Sequence, residues 1–562
     1  MIDLLAVPAW VGFLVAAVAV LALPRRVGTG VAVALTALAV PWAALVPEGT
    51  GLAVAPFGFE QTIVRVDGLS RPVTALFGFV AAVNVLYGHA TGADARQQAY
   101  ALAYMGGGVA AVLAGDWLTL LVAWELLAVA STLLVWHHGG AAVRVGFRYA
   151  VYHLAGGASL VGGVALHYVA TGTFAMAEGF APGLPTTLAV AGVLLNAGAV
   201  GVHAWLTETY PVPHVAASVV LAGFTTKVAV YALARVVPDG ATAVVWVGAL
   251  MVLYGVAQAT IQTDLRRLLS YHIVSQVGYM VVAVGLGTAA GLAGATAHLT
   301  AHVLYKGLLF MMAGAIVIRV GESSLKRLGG LGRQMPVTFG AFLVAALAIS
   351  GVPPFSGFVS KGLVVKAAET AGGEALWWAL LLGSVGTALS FAKFGYYAFV
   401  RAAPSGDALS LAPSRPTLRV ALVAVAVPCL ALGLLPGAFL GAMPGDAGSF
   451  APYAPSELAK ALATTAAGVV AFAVLRGPLS RVPARDVDDL LTPLGARVAT
   501  GTARVAATGG VVVGATSDAL SSWLTTVVDG PAPPARDTTT ALVALVATAG
   551  LALLVAALGG FP

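Results

Sequence analysis

Charge is what this sequence has least of. Only 9% of its 562 residues are Asp, Glu, Lys or Arg, while 59% are hydrophobic; a soluble domain carries about 25% charged residues. Such a chain has no polar exterior to offer water. This excludes an ordinary soluble fold and leaves lipid as the solvent. In lipid each span must satisfy its own backbone hydrogen bonds, so the choice lies between helices and a closed barrel. The apolar runs extend for about 20 residues, the length of a helical span, whereas barrel strands need alternating segments of about 10. The fold class read here is an all-α polytopic membrane protein.

Cysteine is nearly absent as well. The single Cys429 cannot form an internal disulfide and excludes cysteine-ligated iron–sulfur clusters. In "VAVPCLALG" it reads as a small buried apolar residue. No dinucleotide-binding loop is recognisable, so no cofactor is assigned and no catalytic residue is named. The net charge of +6 does not point to nucleic acid, because the basic residues form no single patch. The N-terminal stretch lacks the charged region and cleavage site of a signal peptide and reads as a retained first helix.

What is present is a long series of apolar runs. They predict about sixteen spans, from 4–23 and 28–46 through to 417–439, 457–475 and 541–560. The twelfth, 336–369, is too long for one straight span. Lys and Arg recur in alternate loops, at Arg25 and Arg26, Arg96, Arg144 and Arg148, Arg266 and Arg267, and Lys326 and Arg327. The opposite loops are richer in Asp and Glu. This alternation predicts an N-terminus outside a prokaryotic cell membrane. Residues 476–535 form the one long polar interlude, read either as a helix lying along the membrane surface or as a cytoplasmic linker.

Ionisable residues inside spans are costly in lipid and are read as functional by default. Glu125 lies in "WLTLLVAWELLAVASTLLVW" and Lys227 in "AGFTTKVAVYAL". His298, His302 and Lys306 in "AHLTAHVLYKGLLF" are spaced by four, which places them along one face of one helix. Lys361 follows a break in "GVPPFSGFVSKGLVV". Lys393, in "SFAKFGYY", sits near a span end, where a snorkelling side chain is the simpler reading. His298 and His302 have metal-binding spacing, but no carboxylate or thiolate lies near them in sequence, so no metal is assigned.

Two segments break the helical pattern. One is "HAWLTETYPVPHVAAS", with Pro211 and Pro213; the other is "AISGVPPFSGFVSK", with Pro353 and Pro354. Proline removes a backbone donor, and broken helices are tolerated in a membrane only inside protein or beside water. The two breaks fall about five spans apart. A repeat of five spans is odd-numbered, so its second copy enters the membrane inverted, which is a transporter pattern.

"LLVAWELLAVAS", "HAWLTETYP", "TTKVAVYALAR", "QTDLRRLLSYHIVSQVGYM", "HVLYKGLLFMMAGAIV", "LKRLGGLGRQMP" and "SGVPPFSGFVSKGLVV" together resemble the antiporter-like subunits of respiratory complex I and of multisubunit Mrp-type Na+/H+ antiporters. The order agrees over roughly residues 65–400. "TTKVAVYALAR" and "SYHIVSQVGYM" lean toward the Mrp side, and there toward the D-type antiporter subunits. The resemblance implies fourteen core helices with two inverted five-helix repeats, spans 4–8 and 9–13, plus about two C-terminal spans. The chain then divides into N-terminal helices (1–98), a first repeat (99–236), a second repeat (237–400), C-terminal helices (401–475), an amphipathic or linker segment (476–540) and a final span (541–562).

The resemblance also implies proton translocation along a hydrated chain at mid-membrane. The family's span 5 glutamate falls on Glu125, its span 8 lysine on Lys227, its central His/Lys residues on His298, His302 and Lys306, and its span 12 lysine on Lys361. One departure is sharp. The family's span 7 lysine falls on Asn196, which cannot carry charge. Glu125 therefore needs another partner; Lys227, His203 and His214 are the candidates, and Lys227 is preferred.

The implied function is that of a proton-translocating subunit of an Mrp-type monovalent cation (Na+)/proton antiporter, working among other hydrophobic subunits. The alternatives are a proton-pumping subunit of an NADH–quinone oxidoreductase-like complex and a module of proton-coupled bicarbonate uptake.

Overall fold

The computed structural model describes residues 7–55, 58–176, 179–404, 411–479, 481–484 and 486–487. Among them, eleven helices are long and apolar enough to cross a membrane, with shorter apolar helices at Ala9–Ala22, Leu184–Ala197 and Pro336–Ser350. Each expected span up to 457–475 has a helical counterpart. The expected final span, 541–560, and the interlude from 488 onward lie outside the described residues. The one departure from an all-helical chain, among the described residues, is a short antiparallel hairpin, Gly51–Val54 paired with Gln61–Arg65.

Helix starts are set by side-chain oxygens. Asp94, Asp116 and Asp264 accept hydrogen bonds from the backbone N–H of Gln97, Thr119 and Arg267, at 2.8, 2.7 and 2.9 Å. Each satisfies a donor that the first helical turn leaves unpaired. Helix pairs close through glycine. Thr242–Ile261 and Leu265–Gly285 pack so tightly that a Cβ at Gly278 would lie 2.6 Å from the Gly248 carbonyl oxygen. Without a hydrophobic force between helices in lipid, such close backbone approach is a main source of association.

Burial is graded across the bundle. Val215–Val236 and Leu265–Gly285 are enclosed along their whole apolar length, whereas Pro455–Leu479 turns most of its surface outward. The first two, with most of Ala289–Val320, form the centre.

Two stretches share an order of elements. In the first, Trp117–Trp136 is followed by a 31-residue helix, Ala141–Thr171, and then by Leu184–Ala197, interrupted before Ala204–Thr209. In the second, Leu265–Gly285 is followed by a 32-residue helix, Ala289–Val320, and then by Pro336–Ser350, interrupted before Ser356–Ala371. In each, the capping aspartate also bridges antiparallel to the segment after the long helix, Asp116 to Ala175 and Asp264 to Ser324. Both interrupted helices end on a left-handed glycine, Gly198 at φ 81° and Gly351 at φ 76°.

The breaks fall only partly where proline predicts them. Pro353 and Pro354 do lie in the gap between Pro336–Ser350 and Ser356–Ala371. Pro211 and Pro213 interrupt no span. They lie in the turn between Ala204–Thr209 and Val215–Gly223, where neither the missing N–H nor the ring costs a helical bond. The nearby breaks are instead at Gly198–His203 and at Phe224, whose φ of −113° and ψ of −71° separate Val215–Gly223 from Thr225–Val236.

One polar clamp ties the hairpin end to the centre. Arg235, in the last turn of Thr225–Val236, donates to both carboxylate oxygens of Asp67 at 2.7 Å. Asp67 also accepts from the backbone N–H of Leu69 and Ser70. Burial alone would raise the Asp67 carboxyl, but the Arg235 hydrogen bonds and charge outweigh it and hold the group below its ordinary value. A depressed carboxyl contributes stability that is present above its unfolded value, near 3.8, and is lost as pH falls through the folded one. Asp67→Ala should cost about 1.5–3 kcal/mol, the range for hydrogen bonds to charged groups. Thermal melts in detergent at pH 7 should show the loss, and the gap between wild type and variant should narrow below about pH 4 as the carboxylate protonates.

Candidate functional site

The titratable residues at the centre are held by the helices just described. Lys227 sits in the first turn after the break at Phe224 and is fully enclosed. Its ammonium donates to the Ala222 carbonyl at 2.6 Å and to Thr226 Oγ1 at 3.0 Å. Lys361 lies in the second turn of Ser356–Ala371, after the break that follows Gly351. It donates to the Ile349 carbonyl at 2.7 Å and lies 4.9 Å from the centre of the Tyr279 ring. Both lysines thus use a carbonyl at the end of the preceding half-helix, an acceptor that an unbroken helix would have consumed. The aromatic face adds a second, weaker attraction for Lys361.

His298, His302 and Lys306 line the Ala289–Val320 helix, all with no exposure. His298 Nδ1 is 3.1 Å from Ser360 Oγ, and its ring centre is 6.4 Å from that of His302. Neither ring nitrogen of His302 has a hydrogen-bond partner among the described residues, nor does the ammonium of Lys306. Buried polar groups are paired in the great majority of cases. Three orphaned nitrogens on neighbouring turns are therefore unusual.

The file continues through residues that the sequence alone did not single out. His272, on Leu265–Gly285, places Nε2 2.8 Å from Ser390 Oγ. One turn on, Gln276 Nε2 donates to Thr387 Oγ1 at 3.4 Å, and Tyr279 Oη lies 3.0 Å from Ser384 Oγ. These three rungs form a polar seam between two apolar helices, spaced by three or four on each. The signal was in "YHIVSQVGY" and "SVGTALS", but serine and threonine at helical spacing are common in spans and carry little weight unaided. The seam ends beside Lys393, whose ammonium donates to Thr260 O at 2.7 Å and Gln262 O at 2.5 Å. It is thus not only a snorkelling side chain: it caps the end of Thr242–Ile261, where a cation is favoured. A cavity of about 180 Å³ adjoins it, lined also by Lys326, Tyr397 and Arg476.

The first half is arranged differently. Glu125 is not paired with Lys227, contrary to the preferred expectation: the lysine is engaged with Ala222 and Thr226. Among the described residues no cation lies within ion-pair distance of the Glu125 carboxylate. The carboxylate lies against Gly157, where any Cβ would collide with it. Asn196 is enclosed on the other side of the same helix, its amide against Gly156 and its Oδ1 without a partner among the described residues. The two remaining candidates are also engaged elsewhere. His214 Nδ1 accepts from Gln97 Nε2 at 2.9 Å and from the Ala216 N–H at 3.3 Å. His203 Nε2 is 3.2 Å from the Asp486 carboxylate.

Asp486 follows the Pro455–Leu479 helix and returns to the bundle. Tyr254 and Tyr271 also donate to it. Burial would raise the Asp486 carboxyl, but hydrogen bonds from His203, Tyr254 and Tyr271 outweigh it and hold the group well below the usual range. No sequence pattern announced this contact, which joins positions 283 residues apart. No group of three or more His, Cys, Asp or Glu arranged to hold a metal occurs among the described residues.

The comparisons agree with this architecture. Residues 114–390 match the family described as NADH:quinone oxidoreductase/Mrp antiporter, TM. The L subunit of the Mycobacterium tuberculosis NADH-quinone oxidoreductase is 36% identical over 299 residues, covering 49% of this chain and 47% of that protein; the chain thus spans about half of that relative's length. The D-type subunit of the Bacillus subtilis Na(+)/H(+) antiporter is 30% identical over 369 residues, covering 61% of this chain and 74% of that one. Among solved structures, a chain of the Mrp complex from Dietzia sp. superposes with a TM-score of 0.69 at 25% identity, over 83% of this chain and 98% of that one. The Bacillus subtilis relative, matched at this identity over about three quarters of its length, carries the conclusion: the chain belongs to the membrane-subunit family shared by NADH:quinone oxidoreductases and Mrp antiporters.

Proposed function

We propose that the chain is the proton-translocating subunit of a monovalent cation (Na+)/proton antiporter complex of Mrp type. What supports this is the set of enclosed titratable side chains, Lys227, His298, His302, Lys306, Lys361 and Lys393, together with the His272–Ser390 seam. A buried ammonium is easily discharged, because desolvation penalises its charged form and neighbouring lysines repel one another. A small rearrangement of one carbonyl acceptor then releases or captures a proton. Histidine can take a proton on one ring nitrogen and give one from the other, which suits the shuttling positions between lysines. Glu125 sets the charge state of the first half.

The two stretches with matching element order are read as the five-helix repeats at 99–236 and 237–400, inverted with respect to each other. The matching bridges at Asp116 and Asp264 support this reading. The Lys and Arg alternation supports an N-terminus outside a prokaryotic cell membrane. Partners are other hydrophobic subunits, as the names of the relatives and of the Mrp neighbour imply. A second reading, a proton-pumping subunit of an NADH–quinone oxidoreductase-like complex, is favoured by the 36% identity to the L subunit.

Lys306→Ala and Glu125→Ala should each lower proton-coupled cation transport at least tenfold in proteoliposomes, with insertion and gel-filtration behaviour unchanged. Near wild-type transport by both would remove the relay. An ammonium enclosed without a partner costs stability, so Lys306→Met should raise the melting temperature in detergent while transport is lost. Mild-detergent purification separates the two complexes. Small hydrophobic chains alone should accompany the protein if it is an antiporter subunit, and peripheral chains carrying iron–sulfur clusters would favour the redox complex.

A further inference from the structure

The relay as described leaves Glu125 unconnected. Lys227 is engaged with Ala222 and Thr226, and Asn196 cannot carry a proton in its amide. A further titratable residue, His153 on Ala141–Thr171, is only 2% exposed. Both of its ring nitrogens lack a hydrogen-bond partner among the described residues. A buried imidazole with two orphaned nitrogens is costly unless the site uses them.

The placement of His153 is specific. It lies four residues before Gly157, so the two share one helix face about 6 Å apart along the axis. Gly157 is the residue against which the Glu125 carboxylate rests. The absence of a side chain at Gly157 is what lets that carboxylate lie on the His153 face. On its other side the His153 ring lies 4.0 Å from the centre of Tyr149 and 4.7 Å from that of Trp205. Tyr149 donates to Ser131 Oγ at 2.9 Å, and its hydroxyl also interacts with Thr225. Thr225 Oγ1 is 2.7 Å from Tyr104 Oη and adjoins Thr226, which accepts from the Lys227 ammonium. Hydroxyls thus lie on both sides of the Thr225–Thr226 step, Thr226 at Lys227 and Thr225 at Tyr104 and Tyr149, the Tyr149 ring packs on His153, and His153 shares its face with the residue that Glu125 touches.

Resting on the proton-relay reading above, we infer that His153 is the proton carrier between Lys227 and Glu125, in the role that a charged residue at position 196 would otherwise fill. In the forward step the Lys227 ammonium gives up a proton through the Thr225, Tyr104 and Tyr149 hydroxyls. One ring nitrogen of His153 takes it up. The proton on the other nitrogen passes to the Glu125 carboxylate, and the imidazole returns to its neutral form. No bond between heavy atoms changes, and no oxidant or reductant is needed.

The test uses the full chain with its co-purifying subunits in proteoliposomes, with proton movement read by a pH-sensitive dye. His153→Phe keeps an aromatic ring against Tyr149 and Trp205 while removing both nitrogens. Its transport should fall at least tenfold with unchanged gel filtration. His153→Gln, polar but not titratable, should fall as far and serves if the Phe variant does not fold. The decisive variant adds Asn196→Lys to His153→Phe. A titratable group beside Gly156 should recover at least a third of wild-type transport, which a purely structural role for His153 would not allow. Transport within twofold of wild type in either single variant overturns the inference. So does a loss that Asn196→Lys fails to recover, which would assign His153 to packing. Lys306→Ala serves as the control for the relay itself: if it too transports normally, the reading beneath the inference has failed, and not the inference alone.

Discussion

The constraint on which the rest depends is that Lys227 and Lys361, buried at helix breaks, find oxygen without finding a counter-charge. A carboxylate partner would fix the ammonium as charged and end its usefulness as a carrier. The solution here is the interrupted helix. Ending a helix early frees carbonyls that are strong acceptors yet neutral, and the ammoniums of Lys227 and Lys361 each take one, at Ala222 and Ile349. Lys393 uses the same acceptor type at a natural helix end, Thr260 and Gln262. Such breaks are tolerated only inside protein or beside water, and Lys227 lies in one of the most enclosed segments of the bundle.

The glycines follow from the same need. Enclosing a broken helix requires neighbours that approach closely enough to seal it, and the Gly248–Gly278 contact brings two backbones together at the centre. Gly156 and Gly157 serve a different end. They open both sides of one helix at adjacent positions, giving the Asn196 amide and the Glu125 carboxylate a place against bare backbone. A packing device common in membrane bundles is here also the means of positioning polar groups.

Much of this was legible in the sequence, and the parts that were not have identifiable physical reasons. The spans are announced by their apolar length, and the buried charges by their rarity: Lys227, Lys361 and the His298, His302 and Lys306 face stand out because lipid tolerates so few. Proline was a weaker guide. Pro353 and Pro354 mark a real interruption, but Pro211 and Pro213 sit in a turn, while the breaks nearby rest on Gly198 and on the backbone at Phe224. A helix can be ended by backbone geometry that no single residue type requires. The Glu125 partner was misjudged for a related reason. Charge complementarity suggested Lys227, but an ammonium satisfied by carbonyls has no need of a carboxylate. His153 and His272 do not stand out in the sequence, because a lone histidine in a span is uninformative until its surroundings are known. Asp486 was beyond reach, since only the path of the chain after Leu479 brings it to His203.

The two halves answer the same problem with different chemistry. In the second, lysines and histidines follow one another with serine, threonine and tyrosine between them, and carbonyls supply the acceptors. In the first, the enclosed lysine is Lys227, position 196 is an amide, and the carboxylate of Glu125 has no ion-pair partner among the described residues. A lysine at position 196 could have held Glu125 ionised and made the pair a fixed electrostatic lock. With asparagine there, the charge on Glu125 is free to respond to whatever proton reaches it. The His203–Asp486 contact lies at the break just beyond Asn196, and Tyr254 and Tyr271 of the second half donate to the same carboxylate, so the segment after the last described helix is anchored where the two halves meet.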